Sequence, residues 1–190
     1  MTEADVRAML NGKRAEVLLS VLDRAWKQYL ADGRKRHYRA RANVVWDNAI
    51  ALADVELVSL PGVERRGSND MPAYVFDDAL AVTLKKHARN LRTSGVRTHR
   101  RRVRLLTGRL DGMPDLYHVT CGYTLDNAGA GIEFYPVVRT VSGKPEWDFD
   151  LREITEPGTG LVPTTPVLPY GPTPSLPTIR PAAKEEDGHS

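Results

Sequence analysis

The 190-residue sequence contains a single cysteine, Cys121. One thiol excludes an internal disulfide and any zinc site built from several thiolates. Long apolar runs are also missing, and no stretch approaches the roughly 20 residues that a membrane-spanning helix needs. The opening Met-Thr-Glu-Ala-Asp lacks the basic-then-apolar order of a secretory signal. Cytoplasmic residence with no membrane partner is the expectation. Aromatic residues make up 7% of the chain, and none lies between Phe76 and Tyr117. The absence that says most is of acid, because no Asp or Glu occurs from Ala79 through Leu110.

That acid-free window is basic. It holds Lys85, Lys86, Arg89, Arg92, Arg97, Arg100, Arg101, Arg102, Arg104 and Arg109. The whole chain has 27 Lys and Arg against 24 Asp and Glu, so 17 basic residues face 24 acids outside the window. A modest net charge of +3 therefore conceals a segregated one. Segregation of this kind points to an anionic partner, either nucleic acid or an acidic protein.

Periodicity divides the chain. Thr2, followed by Glu3 and Asp5, predicts a helix start, and Asn11-Gly12 interrupts that helix. From Lys13 to Leu30, Leu18, Leu22, Ala25, Trp26 and Tyr29 share one face, and Asp32-Gly33 ends the run. A further helix is expected from about Lys35 to Asp54, with Tyr38, Ala42, Val45, Trp46, Ala49 and Leu52 on one side. Leu57 to Pro72 reads as irregular, with Pro61-Gly62 and Gly67-Ser68-Asn69-Asp70 as turns. Ala73–Phe76 and Leu80–Lys86 predict a hairpin around Asp77-Asp78. Arg89–Val96 reads as loop. Thr98 can cap a short helix from His99 to about Thr107, with Arg97, Arg100, Arg101 and Arg104 on its outer face.

Strands are then expected at Tyr117–Leu125, at Ile132–Val141 with Pro136 marking an edge or a bulge, and around Trp147, Phe149 and Leu151. Short turns between them favour an antiparallel meander. Eight prolines punctuate the chain from Pro157 to Pro181, and such a segment cannot bury a core. The expected architecture is α+β: a single domain over residues 1–154, with N-terminal helices on an antiparallel sheet of about five strands. A disordered Pro-rich tail follows over residues 155–190.

The leading functional reading is a non-catalytic regulatory module that binds nucleic acid. Lys85, Lys86, Arg89, Arg92, Arg97, Arg100, Arg101 and Arg104 would contact phosphates, since guanidinium forks suit phosphate oxygens and each neutralised phosphate releases counterions. Without interleaved aromatics the window offers no platform for stacked single-stranded bases; a duplex backbone or a structured RNA fits better. A second basic run, Arg34, Lys35, Arg36, His37, Arg39 and Arg41, opens the third helix, where positive charge opposes the helix dipole. The simplest account of either run is a solvated surface.

The first alternative is a toxin–antitoxin-type interaction module with an acidic protein partner. The second is a metal-dependent nuclease using Asp77, Asp78 or Glu133, with Asp126 also in reach of the later strands. The restriction-type pattern of an acid two residues before a strand lysine is absent, because Thr83 precedes Lys85 and Leu84 precedes Lys86. No Walker loop, dinucleotide fingerprint or zinc-helix histidine pair is present. His118 alternates onto the face opposite Tyr117 and reads as a half-buried, hydrogen-bonded histidine, and Cys121 reads as core. No catalytic residue, metal or cofactor is assigned.

Arg39-Ala40-Arg41-Ala42 with Asp47, Leu80–Lys86, Leu91–Thr98, Cys121-Gly122-Tyr123-Thr124-Leu125-Asp126 and Trp147 form an ordered series. Over residues 36–151 the chain resembles an uncharacterised bacterial and phage protein family found near repressor-like regulators and zinc peptidases. The resemblance implies a mobile-element or toxin–antitoxin setting and supplies no catalytic residues.

Overall fold

The computed structural model describes residues 1–34, 37–69, 71–93 and 115–155, apart from the side chains of Tyr38 and Arg39. These all belong to one compact unit, Met1–Gly160. Among the described residues, three helices, α1 (Glu3–Leu10), α2 (Lys13–Ala31) and α3 (Tyr38–Glu56), precede seven strands. The strands are β1 (Val63–Arg66), β2 (Ala73–Phe76), β3 (Leu80–Lys86), β4 (Tyr117–Leu125), β5 (Ile132–Phe134), β6 (Pro136–Val141) and β7 (Lys144–Asp150). A 3-10 turn, Leu151–Ile154, follows β7.

Local chemistry sets the helix ends. The Asp5 amide donates to Thr2 Oγ1 at 3.3 Å while the Thr2 amide donates to Asp5 Oδ2 at 2.6 Å, a reciprocal capping box. Gly12 separates α1 from α2, and its amide donates to the Ile154 carbonyl at 3.3 Å, tying the N-terminal corner to the end of the sheet. Helix α2 buries Leu18, Val21, Leu22, Ala25 and Trp26, as its period requires. Helix α3 begins at Tyr38, later than expected, so Arg34 and His37 precede it. Its seam consists of Val45, Ala49, Ile50, Ala53 and Leu57, shifted toward the C-terminal end from the expected face. Two contacts account for the shift. Trp46 is drawn to the sheet, where its indole Nε1–H donates to the Leu84 carbonyl at 3.1 Å. Tyr74 donates to Asp54 Oδ1 at 2.8 Å from below the last turns.

The sheet order is β1-β2-β3-β4-β6-β7, with β5 paired to the end of β4. The helices cover one face through Phe76, Leu80, Val82, Leu84, Val119, Cys121, Tyr123, Val137 and Phe149, all buried. Each such apolar side chain contributes on the order of 1.5–3 kcal/mol, far more than any single ion pair at the surface. The opposite face is different. Ala73, Val75, Ala81 and Leu116 form a small apolar cluster, and beside it lie buried polar groups. Thr83 Oγ1 is 3.1 Å from His118 Nε2, and His87 Nε2 is 3.0 Å from Thr120 Oγ1.

The α+β arrangement agrees with the sequence reading, but the sheet departs from it in three places. It is mixed, because β3 and β4 run parallel from Leu80↔Tyr117 to Lys86↔Tyr123. A parallel neighbour requires a crossover connection instead of a tight turn, and residues 87–116 must supply one. A seventh strand, β1, occupies the segment read as irregular; Val-Glu-Arg-Arg carries only one apolar residue, as suits a short charged edge. The Ile132–Val141 run is broken at Tyr135, so Pro136 opens β6, where a missing amide costs no ladder bond. The expected arginine helix around His99–Thr107 and the tail beyond Thr155 lie outside the described residues.

Candidate nucleic-acid interface

One residue of the second basic run meets two of the first. Lys86 and Arg89, from the end of β3 and the loop after it, line one cleft with Arg41 from the first turns of α3. The β4–β5 loop, Asp126 to Gly129, forms the facing wall. The cleft has a volume of about 320 Å³ and also includes His87, Ala88 and Leu125 in its lining.

Each cation is held differently. Arg41 donates from Nη1 to the Gly129 carbonyl at 2.9 Å, and its guanidinium lies 5.8 Å from the Trp26 ring. Its Nε is buried and meets no acceptor among the described residues. Lys86 is half-buried; burial, and then the charge of Arg41, pulls its ammonium below the ordinary lysine range. Arg89 reaches Glu133 at 3.1 Å, both side chains about half exposed. The loop is built by Asp126, whose two carboxylate oxygens accept the amides of Ala130 and Gly131 at 2.9 Å each. Each oxygen thus gives one of its acceptor sites to the turn.

The remaining expected contacts separate. Lys85 sets its ammonium 5.4 Å from the Trp46 ring and is absent from the cleft wall. Arg92 is exposed, in a tight loop closed by the Ala88 amide donating to the Arg92 carbonyl at 2.9 Å. Arg97, Arg100, Arg101 and Arg104 lie outside the described residues, as do Lys35, Arg36 and the Arg39 side chain. Arg41 and His87 were not among the expected contacts. The basic run at the start of α3 was the signal for Arg41, whereas nothing local marks His87.

Asp77 and Asp78 of the nuclease alternative do not converge with Glu133. Asp77 and Asp78 form the β2–β3 turn at φ 49 and 52, closed by the Ala79 amide on the Phe76 carbonyl at 3.0 Å. Asp77 accepts both Nη groups of Arg14, at 2.6 and 2.7 Å, and that pairing holds its carboxyl below the usual range. Asp78 pairs with Arg66. Glu133 lies on β5, beside Thr124 and Leu125, whereas the Asp77-Asp78 turn sits at the Tyr117 end of β4. Seven residues of strand separate the two ends, roughly 23 Å. Among the described residues, no three His, Cys, Asp or Glu side chains cluster as a metal site.

Cys121 is fully buried, and burial, with Asp150 adding to it, pushes its thiol up to about 12. Native protein should resist iodoacetamide at pH 8 while urea-unfolded protein alkylates stoichiometrically. Stoichiometric labelling of the native form would show that the strand opens. Among the described residues, no helix is long and apolar enough to cross a membrane. Compared with known proteins, the chain matches no family model, no curated protein and no solved structure.

Proposed function

We propose that the protein is a binding module for nucleic acid, gripping the phosphate backbone with the basic surface around the Arg41–Lys86–Arg89 cleft. The observation that carries this reading is the convergence of residues far apart in sequence, Arg41 from the 34–41 run and Lys86 and Arg89 from the 85–92 run, on one wall-and-loop cleft. Bringing Arg41 against Lys86 costs electrostatic energy, and among the described residues no carboxylate offsets it at either side chain. An anionic ligand would. Arg92 extends the path, and Arg97, Arg100, Arg101 and Arg104 follow within a short stretch of the same acid-free sequence.

Salt dependence tests the reading. Binding of a duplex should weaken steeply with salt, and neutralising Lys86 or Arg92 to Gln should each lower the log–log slope by about 0.9. Absence of binding to duplex DNA and structured RNA at low salt would end the proposal. Binding whose salt slope is unchanged in these variants would move it to another surface.

A further inference from the structure

We infer that the Arg41–Lys86–Arg89 cleft is a discrete site for a phosphate monoester, and that it recognises a terminal phosphate where a continuous backbone would pass over it. This rests on the proposed nucleic-acid reading for its biological ligand, but the site stands on its own geometry. Three cations and one carboxylate line the cleft, leaving two positive charges in excess. A phosphodiester brings one negative charge; a monoester, with its second ionisation near pH 6, brings close to two at neutral pH. The single lining carboxylate, Asp126, has both oxygens turned to loop amides. The acid paired with Arg89, Glu133, is half exposed and can be exchanged for a ligand oxygen.

A donor in the cleft is also underused. Arg41 leaves a buried Nε without an acceptor among the described residues. Buried polar groups are ordinarily satisfied, so an unmet guanidinium N–H beside excess positive charge marks a place for a compact oxyanion. The shape agrees. The cleft is walled by the 126–129 loop, and Gly129 keeps that wall close, since a Cβ there would stand 3.2 Å from the Arg41 guanidinium.

The test uses the full chain and four probes: inorganic phosphate, a nucleoside 5′-monophosphate, and one oligonucleotide duplex with either 5′-phosphate or 5′-hydroxyl ends. Titrations should show the 5′-phosphorylated duplex binding about tenfold more tightly than the 5′-hydroxyl form, as expected for one or two charge-assisted hydrogen bonds. Inorganic phosphate should compete this preference away. Arg41→Gln and Lys86→Gln should each abolish it, while Lys144→Gln, exposed on β7, should keep it. The Lys86 side chain makes no hydrogen bond or ion pair among the described residues, so its variant tests the site even if Arg41→Gln loosens the α3–loop contact; a thermal melt checks both. Equal binding of the two duplexes without phosphate competition would overturn the inference and leave the backbone reading standing. A preference that survives both variants would overturn it as well. Binding of phosphate and the monophosphate, lost in Lys86→Gln, with neither duplex bound would uphold the site and end the nucleic-acid reading.

Discussion

Gly122→Ala should be the most damaging conservative substitution in the sheet, lowering the melting temperature by about 10 °C or more or preventing folding altogether. Gly122 pairs with Lys85 in the parallel β3–β4 ladder. A Cβ on Gly122 would lie 1.6 Å from the Lys85 carbonyl oxygen and 2.7 Å from its carbonyl carbon. Both are backbone atoms, so no rotamer change relieves the contact. Relief requires β3 and β4 to part near the Lys86 end of their ladder, or the Lys85 peptide to rotate, and either breaks ladder bonds between two buried strands. A cost of about 4 kcal/mol or more is a large share of the roughly 5–15 kcal/mol that holds a typical domain together. The next residues along the chain are Lys86, which ends β3, and His87, so the damage reaches the cleft directly. Gly12→Ala is the control: that glycine has φ +62 and ψ −127, but a methyl group added there would meet nothing within 4 Å, and only backbone strain of about 1–3 kcal/mol is expected. A Gly122→Ala melt within about 2 °C of the parent, less than roughly 1 kcal/mol for a domain of this size, would mean that the strands separate easily there.

Features with local causes were legible in the sequence. Thr2 with Asp5, the Asn11-Gly12 break, the Asp32-Gly33 stop and the Asp77-Asp78 turn each act within four or five residues, and each element boundary follows from them. The strand at Tyr117–Leu125 was legible for the same reason. What the sequence hid was set by partners. Val63–Arg66 becomes a strand only because Phe76 to Ala73 lie beside it. The β3–β4 pairing is parallel because a connection of some thirty residues returns the chain to the start of β3, and no local pattern encodes that return. The candidate site divides in the same way. The positive charge of Lys86, Arg89 and Arg92 was plain, but its meeting with Arg41 depends on where α3 packs against the end of β3. Lys85, the sequence neighbour of Lys86, is instead taken up by Trp46.

His87 should make the fold acid-labile well above the range in which carboxylates titrate. It sits in an otherwise basic, polar stretch, yet only 1% of it is exposed. Its amide donates to the Tyr123 carbonyl at 2.9 Å, extending the β3–β4 ladder, and its ring meets Thr120. Burial disfavours the imidazolium and drags His87 down to about 4. An unfolded chain protonates the same ring near pH 6.5. Between those values the unfolded state binds more protons than the folded one, so stability falls as pH falls from about 6.5 to about 4 and is not lost further below that. The full loss from this residue is about 3 kcal/mol. Asp77 acts in a separate window. The Arg14 pairing lowers its carboxyl, so its contribution is present above the ordinary carboxylate range and disappears only below it. Urea unfolding at pH 7.5 and pH 4.5 should therefore differ by most of this amount in the parent. In His87→Gln, which retains a side chain able to hydrogen-bond Thr120 but cannot be protonated in this range, the difference should shrink correspondingly. An unchanged difference in His87→Gln would assign the acid sensitivity to other groups and place a protonated His87 comfortably within the fold.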